Sequence, residues 1–205
     1  MLELIKLDCV RGGRPLFRSL NVSVPDGTLL QVQGANGSGK TSLLRIVSGL
    51  MSPENGEVRW NGTNISELAE EYSQTLAYLG HRNGIKEELT PIENLYGSSS
   101  LSGNIINTEE AQAALKLVGL ESRQHLPVRY LSEGQRRRAS LARIITSTAK
   151  LWVLDEVLAA LDTAAVKVVR TVIERHLEKG GTAIVATHHD LQISAGSFQR
   201  LELAL

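Results

Sequence analysis

The chain has 205 residues, 42% of them hydrophobic and 21% charged, and its 22 basic and 22 acidic side chains cancel. That composition suits one well-buried domain with a small lobe and supplies no overall charge for nucleic acid. The lone cysteine, Cys9, excludes an internal disulfide and fits a reducing compartment, and no apolar stretch approaches the ~20 residues a membrane span needs. Glu3, Lys6 and Asp8 interrupt the N-terminus, so no signal peptide is expected.

Residues 2–7 and 22–24 read as short strands, with Cys9 a small buried residue in the first. Turn-prone Arg11-Gly12-Gly13-Arg14-Pro15 and residues 17–20 separate them. Pro25-Asp26-Gly27 then turns the chain into a buried strand around Leu29, Leu30 and Val32. That strand runs into Gly34-Ala35-Asn36-Gly37-Ser38-Gly39-Lys40-Thr41, the G-x-x-x-x-G-K-[ST] pattern, and a helical run over 42–50 follows. Glycines let backbone N–H groups turn inward onto β- and γ-phosphates; Lys40 adds a point charge, and the Thr41 hydroxyl is a Mg²⁺ ligand at a helix start whose dipole favours anions. The loop and its neighbour Ser42 therefore point to a nucleoside triphosphate and Mg²⁺.

Farther on, Pro53-Glu54-Asn55-Gly56 turns into a strand over 57–60, and Asn61-Gly62 makes a hairpin turn, giving a β-rich lobe. A buried strand over 76–79 leads to a loop over 80–89 and to a helix opened by the capping box in Thr90-Pro91-Ile92-Glu93. Residues 97–107, rich in Ser, Gly and Asn, are expected to be flexible, whereas 109–118 and 134–146 have helical periodicity. Arg136, Arg137 and Arg138 are expected on a solvated face. Residues 151–154 form a buried strand ending in Asp155-Glu156, 163–178 an amphipathic helix stopped by Gly180-Gly181, and 182–187 the next central strand. Strands alternating with helices predict an α/β fold with a parallel core sheet, an antiparallel β lobe and a helical insertion.

Two carboxylates at the C-terminal end of a strand stand where open parallel sheets place ligands. Asp155 is expected to bind Mg²⁺ through its water shell and Glu156 to orient and polarise an attacking water. In Leu131-Ser132-Glu133-Gly134-Gln135, taken alone, Ser132 reads as a helix cap and Gly134 permits close approach. Lying between the phosphate loop and the carboxylate strand, the segment resembles the signature sequence of ATP-binding cassette (ABC) ATPases. The resemblance covers essentially the whole chain in the right order: phosphate loop, loop after the strand at 76–79, signature, carboxylate strand, Ala160-Leu161-Asp162, then Thr187-His188.

That resemblance implies a P-loop ABC-type ATPase of one domain, 1–205. A RecA-like core with β lobe would occupy about 1–80 and 148–205, and a helical subdomain with the signature about 81–147. It implies that Lys40, Glu156 and His188 are catalytic, with His188 contacting the γ-phosphate and the attacking water. Asp162 would lie in a loop crossing a dimer interface, while Ser132, Glu133, Gly134 and Gln135 would act in trans on ATP held by a second copy. Four positions depart from the family pattern. His81 replaces a Gln in the loop that couples to the membrane partner, and Arg11 aligns with the aromatic that stacks on adenine. Val157 replaces a proline, and Glu133 a glycine.

Leu79-Gly80-His81, residues 89–95, Gly56-Glu57-Val58-Arg59-Trp60 and Gln135-Arg136-Arg137-Arg138 look like the haem-exporter ATPases of bacterial cytochrome c maturation. That likeness implies a homodimer under integral membrane permease subunits, at the cytoplasmic face of the inner membrane, whose ATP hydrolysis releases a haem-loaded chaperone. No nucleic acid and no direct haem binding are expected, since Cys-x-x-Cys-His is absent and the histidines are scattered except for His188-His189. Two other readings stay open. A soluble cassette acting on DNA or ribosomes would usually carry a second cassette or a coiled-coil insertion, and a weakly hydrolysing regulatory module sits poorly with intact Lys40, Asp155, Glu156 and His188.

Overall fold

The computed structural model describes residues 1–159 and 161–204, so Ala160 of the predicted dimer loop lies outside the described residues. The chain opens with a hairpin of β1 (Leu2–Arg11) and β2 (Arg14–Val24), then enters β3 (Thr28–Gln33), α1 (Lys40–Val47) and a second hairpin, β4 (Asn55–Trp60) and β5 (Thr63–Asn64). There follow α2 (Ile65–Thr75), β6 (Leu76–Leu79), α3 (Pro91–Leu101), α4 (Thr108–Leu117) and α5 (Glu133–Ile145). The last elements are β7 (Leu151–Asp155), α6 (Thr163–Glu178), β8 (Thr182–Ala186) and β9 (Ser197–Glu202). Two compact units result, one of residues 1–78, 149–156 and 173–205, the other of 79–148 and 157–172.

In the first unit an antiparallel sheet of order β2-β1-β4-β5 and a second sheet of order β6-β7-β8-β3-β9 are present. In the second sheet β3 runs parallel to β8 (Leu29↔Ala183) and to β9 (Leu29↔Phe198), and β7 runs parallel to β8 (Val153↔Ile184). Leu30, Val32, Val153, Ile184 and Ala186 from this sheet, Leu43, Leu44, Ile46 and Val47 from α1, and Leu2, Leu4 and Val58 from the antiparallel sheet share one apolar cluster. A helix with so short a span is held by that burial rather than by propensity. The predicted Asn61-Gly62 turn is a two-residue hairpin turn, with φ of 51° and 84° and Trp60 opposite Thr63.

Several expectations change. Residues 17–20 are not a break between strands but part of β2, which pairs with β1 along most of its length with bulges. Asn55 and Gly56 belong to β4 rather than to a turn. α2 and β9 had no expected counterpart. The stretch expected to be flexible, 97–107, is helical up to Leu101, because Leu95 and Ser99 are buried and the Ser99 hydroxyl donates to Tyr96 O at 3.1 Å. Packing there overrides a poor helix-forming sequence.

In the second unit the arginines of α5 do not form a solvated face. Arg137 is only 4% exposed and donates from Nη1 to Gly80 O at 2.9 Å. Arg143, whose ionisation burial disfavours, donates to the Asn83 and Gly84 carbonyls, and Arg136 pairs with Glu87 at 3.0 Å. Successive residues on a helix point about 100° apart, so three adjacent arginines cannot share one face.

His176, in the part of α6 that belongs to the first unit, stacks on Trp152 of β7 with ring centroids 3.8 Å apart and an interplanar angle of 10°, and it meets Thr182 O at 3.2 Å. Burial holds its pKa below the ordinary value of 6.5, outweighing hydrogen bonds to the Thr182 and Lys150 carbonyls. The unfolded chain therefore binds a proton that the folded chain refuses. Stability is expected to be full above pH 6.5 and to fall as pH drops below it. Denaturant titrations from pH 7.5 to 5 check this, and His176→Phe, which keeps an aromatic on Trp152, should flatten the slope.

Candidate active site

The start of α1 differs from the other helix starts. α3, α4 and α5 are each closed by a capping box (Thr90 with Glu93, Asn107 with Glu110, Ser132 with Gln135) and carry acid in the first turn. α1 begins at Gly39 with no side-chain cap and no acid, and its first residue is Lys40. Its orphan N–H groups, the helix dipole and an ammonium thus stand together, an arrangement suited to an anion. The Lys40 Nζ donates to the Gly34 and Ala35 carbonyls at 2.7 and 3.2 Å, and the residue is 7% exposed.

The loop leaves no room for side chains at Gly34. A Cβ there would lie 2.5 Å from Ser38 Oγ and 2.6 Å from Leu203 O, at a φ of +148°. Ser38 Oγ is itself buried with no hydrogen-bond partner among the described residues. Ala35, Asn36 and Gly37 are exposed at the tip, Thr41 is exposed in the first turn of α1, and Ser42 is half-buried behind it. Leu16 and half-buried Phe17 of β2 border the loop, since a Cβ on Gly39 would lie 3.1 Å from Leu16 Cβ and 3.3 Å from Phe17 Cδ1. Sequence reasoning passed over this pair and looked to Arg11, which is exposed at the β1–β2 turn opposite Arg14.

Two further groups arrive at the C-terminal ends of β7 and β8. Asp155, the last residue of β7, is 1% exposed, and its charge, after burial, helps to raise the pKa of Tyr78. Glu156 leaves the strand at φ +53°, a left-handed conformation uncommon for a residue with a side chain, while its N–H still bonds Ala186 O at 2.9 Å. Its Oε1 lies 3.4 Å from His188 Nε2. The predicted base and the predicted γ-phosphate contact are therefore brought together. Hard oxygen donors at Thr41 and Asp155 suit Mg²⁺, and no group of three or more His, Cys, Asp or Glu among the described residues could form a closed metal cage.

In the second unit Ser132 caps α5 and exchanges hydrogen bonds with Gln135 at 3.0 and 3.3 Å. Ser132 and Glu133 are exposed and Gly134 is half-buried, with Glu133 accepting from Asn83 at 3.0 Å. Exposed His81 lies in the loop whose carbonyls Arg137 and Arg143 hold. Asp162 accepts from Ala165 N–H at 2.8 Å and so caps α6, and Val157 is fully buried.

Residues 17–159 match the family model for ABC transporters. The chain is 51% identical over 202 residues, 98% of each chain, to the cytochrome c biogenesis ATP-binding export protein CcmA of Nitrosospira multiformis. It is 48% identical over 204 residues to CcmA of Nitrosomonas europaea, covering 100% of this chain and 96% of that one. The chain belongs to the ABC transporter family, in its CcmA group. As an ABC transporter ATPase it binds ATP, and cassettes of this family dimerise and pair with permeases. Among solved structures a putative ABC transporter ATP-binding protein from Pyrococcus furiosus superposes with a TM-score of 0.85 at 25% identity, covering 98% of this chain and 96% of that one. The α/β cassette fold with its antiparallel lobe and helical part is the one expected from sequence. No helix among the described residues is long and apolar enough to cross a membrane.

Proposed function

We propose that this ABC cassette is the ATP-hydrolysing subunit of a cytochrome c biogenesis exporter in the bacterial inner membrane. Two copies work there at the cytoplasmic face under integral permease subunits, and turnover releases a haem-loaded chaperone without haem touching this chain. Full-length identity to CcmA proteins supports the assignment. The observation that carries the chemistry is the uncapped, acid-free start of α1 bearing Lys40, combined with the Glu156–His188 pair at 3.4 Å in the same unit.

Residues 34–42 cradle the triphosphate, with Lys40 on the β- and γ-phosphates and Arg11 at the base. Thr41 and Asp155 hold Mg²⁺, which when bound neutralises charge on the phosphate oxygens. Glu156 orients a water for attack on the γ-phosphorus and takes its proton, and ADP leaves as the γ-bridging P–O bond breaks. His188 holds the γ-phosphate and that water in line. Ser132, Glu133, Gly134 and Gln135 complete the site in trans on ATP bound by the other copy, and Asp162 lies in the dimer loop. In this reading 1–80 and 148–205 make the catalytic core, while 81–147 carries the signature and, through the loop at His81, passes closure to the permease. The coupling requires ATP to bind the closed dimer more tightly than the open one.

Affinity purification of the chain from native membranes, with ATPase activity of parent and Lys40→Ala, tests the reading. Recovery of small integral membrane subunits with a haem-handling protein is expected, and Lys40→Ala should lower turnover by about 10²-fold or more. Recovery of ribosomes or DNA-processing factors instead would overturn it.

A further inference from the structure

In the middle of β3, between buried Leu30 and Val32, stands one long polar side chain. Gln31 is 0% exposed and stands in register with Val185 of β8 and Arg200 of β9. A buried side-chain amide is costly unless both its ends find partners. Both ends of Gln31 do, in a single loop: Nε2 donates to His189 O at 2.7 Å and Oε1 accepts from Leu191 N–H at 3.4 Å. That loop leaves β8 and carries His188. It is tied elsewhere by His189 N–H to Thr187 Oγ1 at 3.0 Å and Thr187 N–H to Val32 O at 3.3 Å, both before or at the bend. Beyond it the loop is linked by Arg200 to Asp190 at 2.7 Å, whose side chains are 48% and 53% exposed, and farther on by the N–H and hydroxyl of Ser194, which both donate to Glu174 Oε1 at 2.8 Å. An ion pair so exposed holds weakly. The buried amide is thus a firm anchor for 189–191, the residues that directly follow His188.

We propose that Gln31 is a positioning residue for hydrolysis: by gripping the backbone at 189 and 191 from within the sheet, it fixes His188 against Glu156. The same strand ends in the phosphate loop, so one element sets both the nucleotide and the histidine that reads its terminal phosphate. The inference rests on the role proposed above for His188.

The test uses the full chain in its membrane complex, with Gln31→Met, His188→Ala and the double variant. Methionine keeps length and apolar packing but abolishes both hydrogen bonds. Gln31→Met should lower kcat about tenfold or more with KM for ATP and ADP affinity within about twofold, because misplacement by an ångström is felt in the reacting geometry rather than in binding. In the His188→Ala background the same change should have less than about a twofold effect, the signature of a residue acting through another. A Gln31→Met loss that persists undiminished in that background, or a Gln31→Met variant with parental kcat beside an impaired His188→Ala, overturns the inference and leaves the His188 role standing. A parental His188→Ala overturns the His188 role and the inference with it. Thermal unfolding accompanies each variant. Should Gln31→Met not fold, Gln31→Leu, apolar like its neighbours Leu29 and Leu30 and lacking both donor and acceptor, replaces it with the same expected losses and the same overturning results.

Discussion

Glu156→Gln is expected to lower ATP turnover by about 10²–10⁴-fold while leaving ATP affinity nearly unchanged, the range general-base catalysis usually contributes. The amide has the same shape and can still accept from His188, whose Nε2 lies 3.4 Å from the carboxylate, so the local structure should survive. What it cannot do is take the proton of the attacking water. Glutamine also tolerates the φ of +53° no worse than glutamate does. Single-turnover hydrolysis, equilibrium ATP binding and sizing of the protein with ATP separate the steps. Bound but unhydrolysed ATP should favour the paired cassettes, and a Glu156→Gln variant that turns over like its parent would remove the assigned base.

Gly34→Ala is expected to cripple the site by a different route. The added methyl would sit 2.6 Å from the Leu203 carbonyl and 2.5 Å from Ser38 Oγ, and φ at +148° is unfavourable for any L side chain. A serine hydroxyl can rotate away, but a backbone carbonyl following β9 cannot. The loop must therefore shift, at a cost of about 1–3 kcal/mol for the strained backbone before any overlap is counted. Because Lys40 Nζ is held by the Gly34 and Ala35 carbonyls, the shift also moves the ammonium. ATP affinity should fall about tenfold or more, together with a lower thermal midpoint, and calorimetric titration with a melting curve reads both.

The phosphate loop was legible in the sequence because it is a local device: its glycines, lysine and hydroxyl stand within eight residues. The capping box at Thr90 and the Asn61-Gly62 turn were legible for the same reason. β9 was not, since Ser197-Phe198-Gln199-Arg200-Leu201-Glu202 owes its strand to six residues of pairing with β3, far away in the chain. α2 was hidden because it buries only Tyr72 and is kinked at Ala69, where φ is 39° and ψ −102°. Of the proposed catalytic groups, Asp155 and Glu156 were readable as strand-end carboxylates, and His188 through its place in the family resemblance. Gln31 was not singled out, although a glutamine amid Leu29, Leu30 and Val32 of a buried strand is a signal in itself. Arg137 was misread because a run of like charges suggests solvent, whereas helical geometry turns one of three inward.

The grip of α5 on the segment after β6 has a consequence for how this protein can change. Arg137 and Arg143 hold that segment by the carbonyls of Gly80, Asn83 and Gly84, groups that every amino acid possesses. His81, Arg82 and Lys86 are exposed. The path of the segment is therefore written in arginines 57 to 60 positions later, and its outward vocabulary is written locally. In the coupling role proposed for this segment, substitutions at those outward positions would retune which neighbour is met without redrawing the backbone, so shape and recognition would be inherited on separate stretches of the chain.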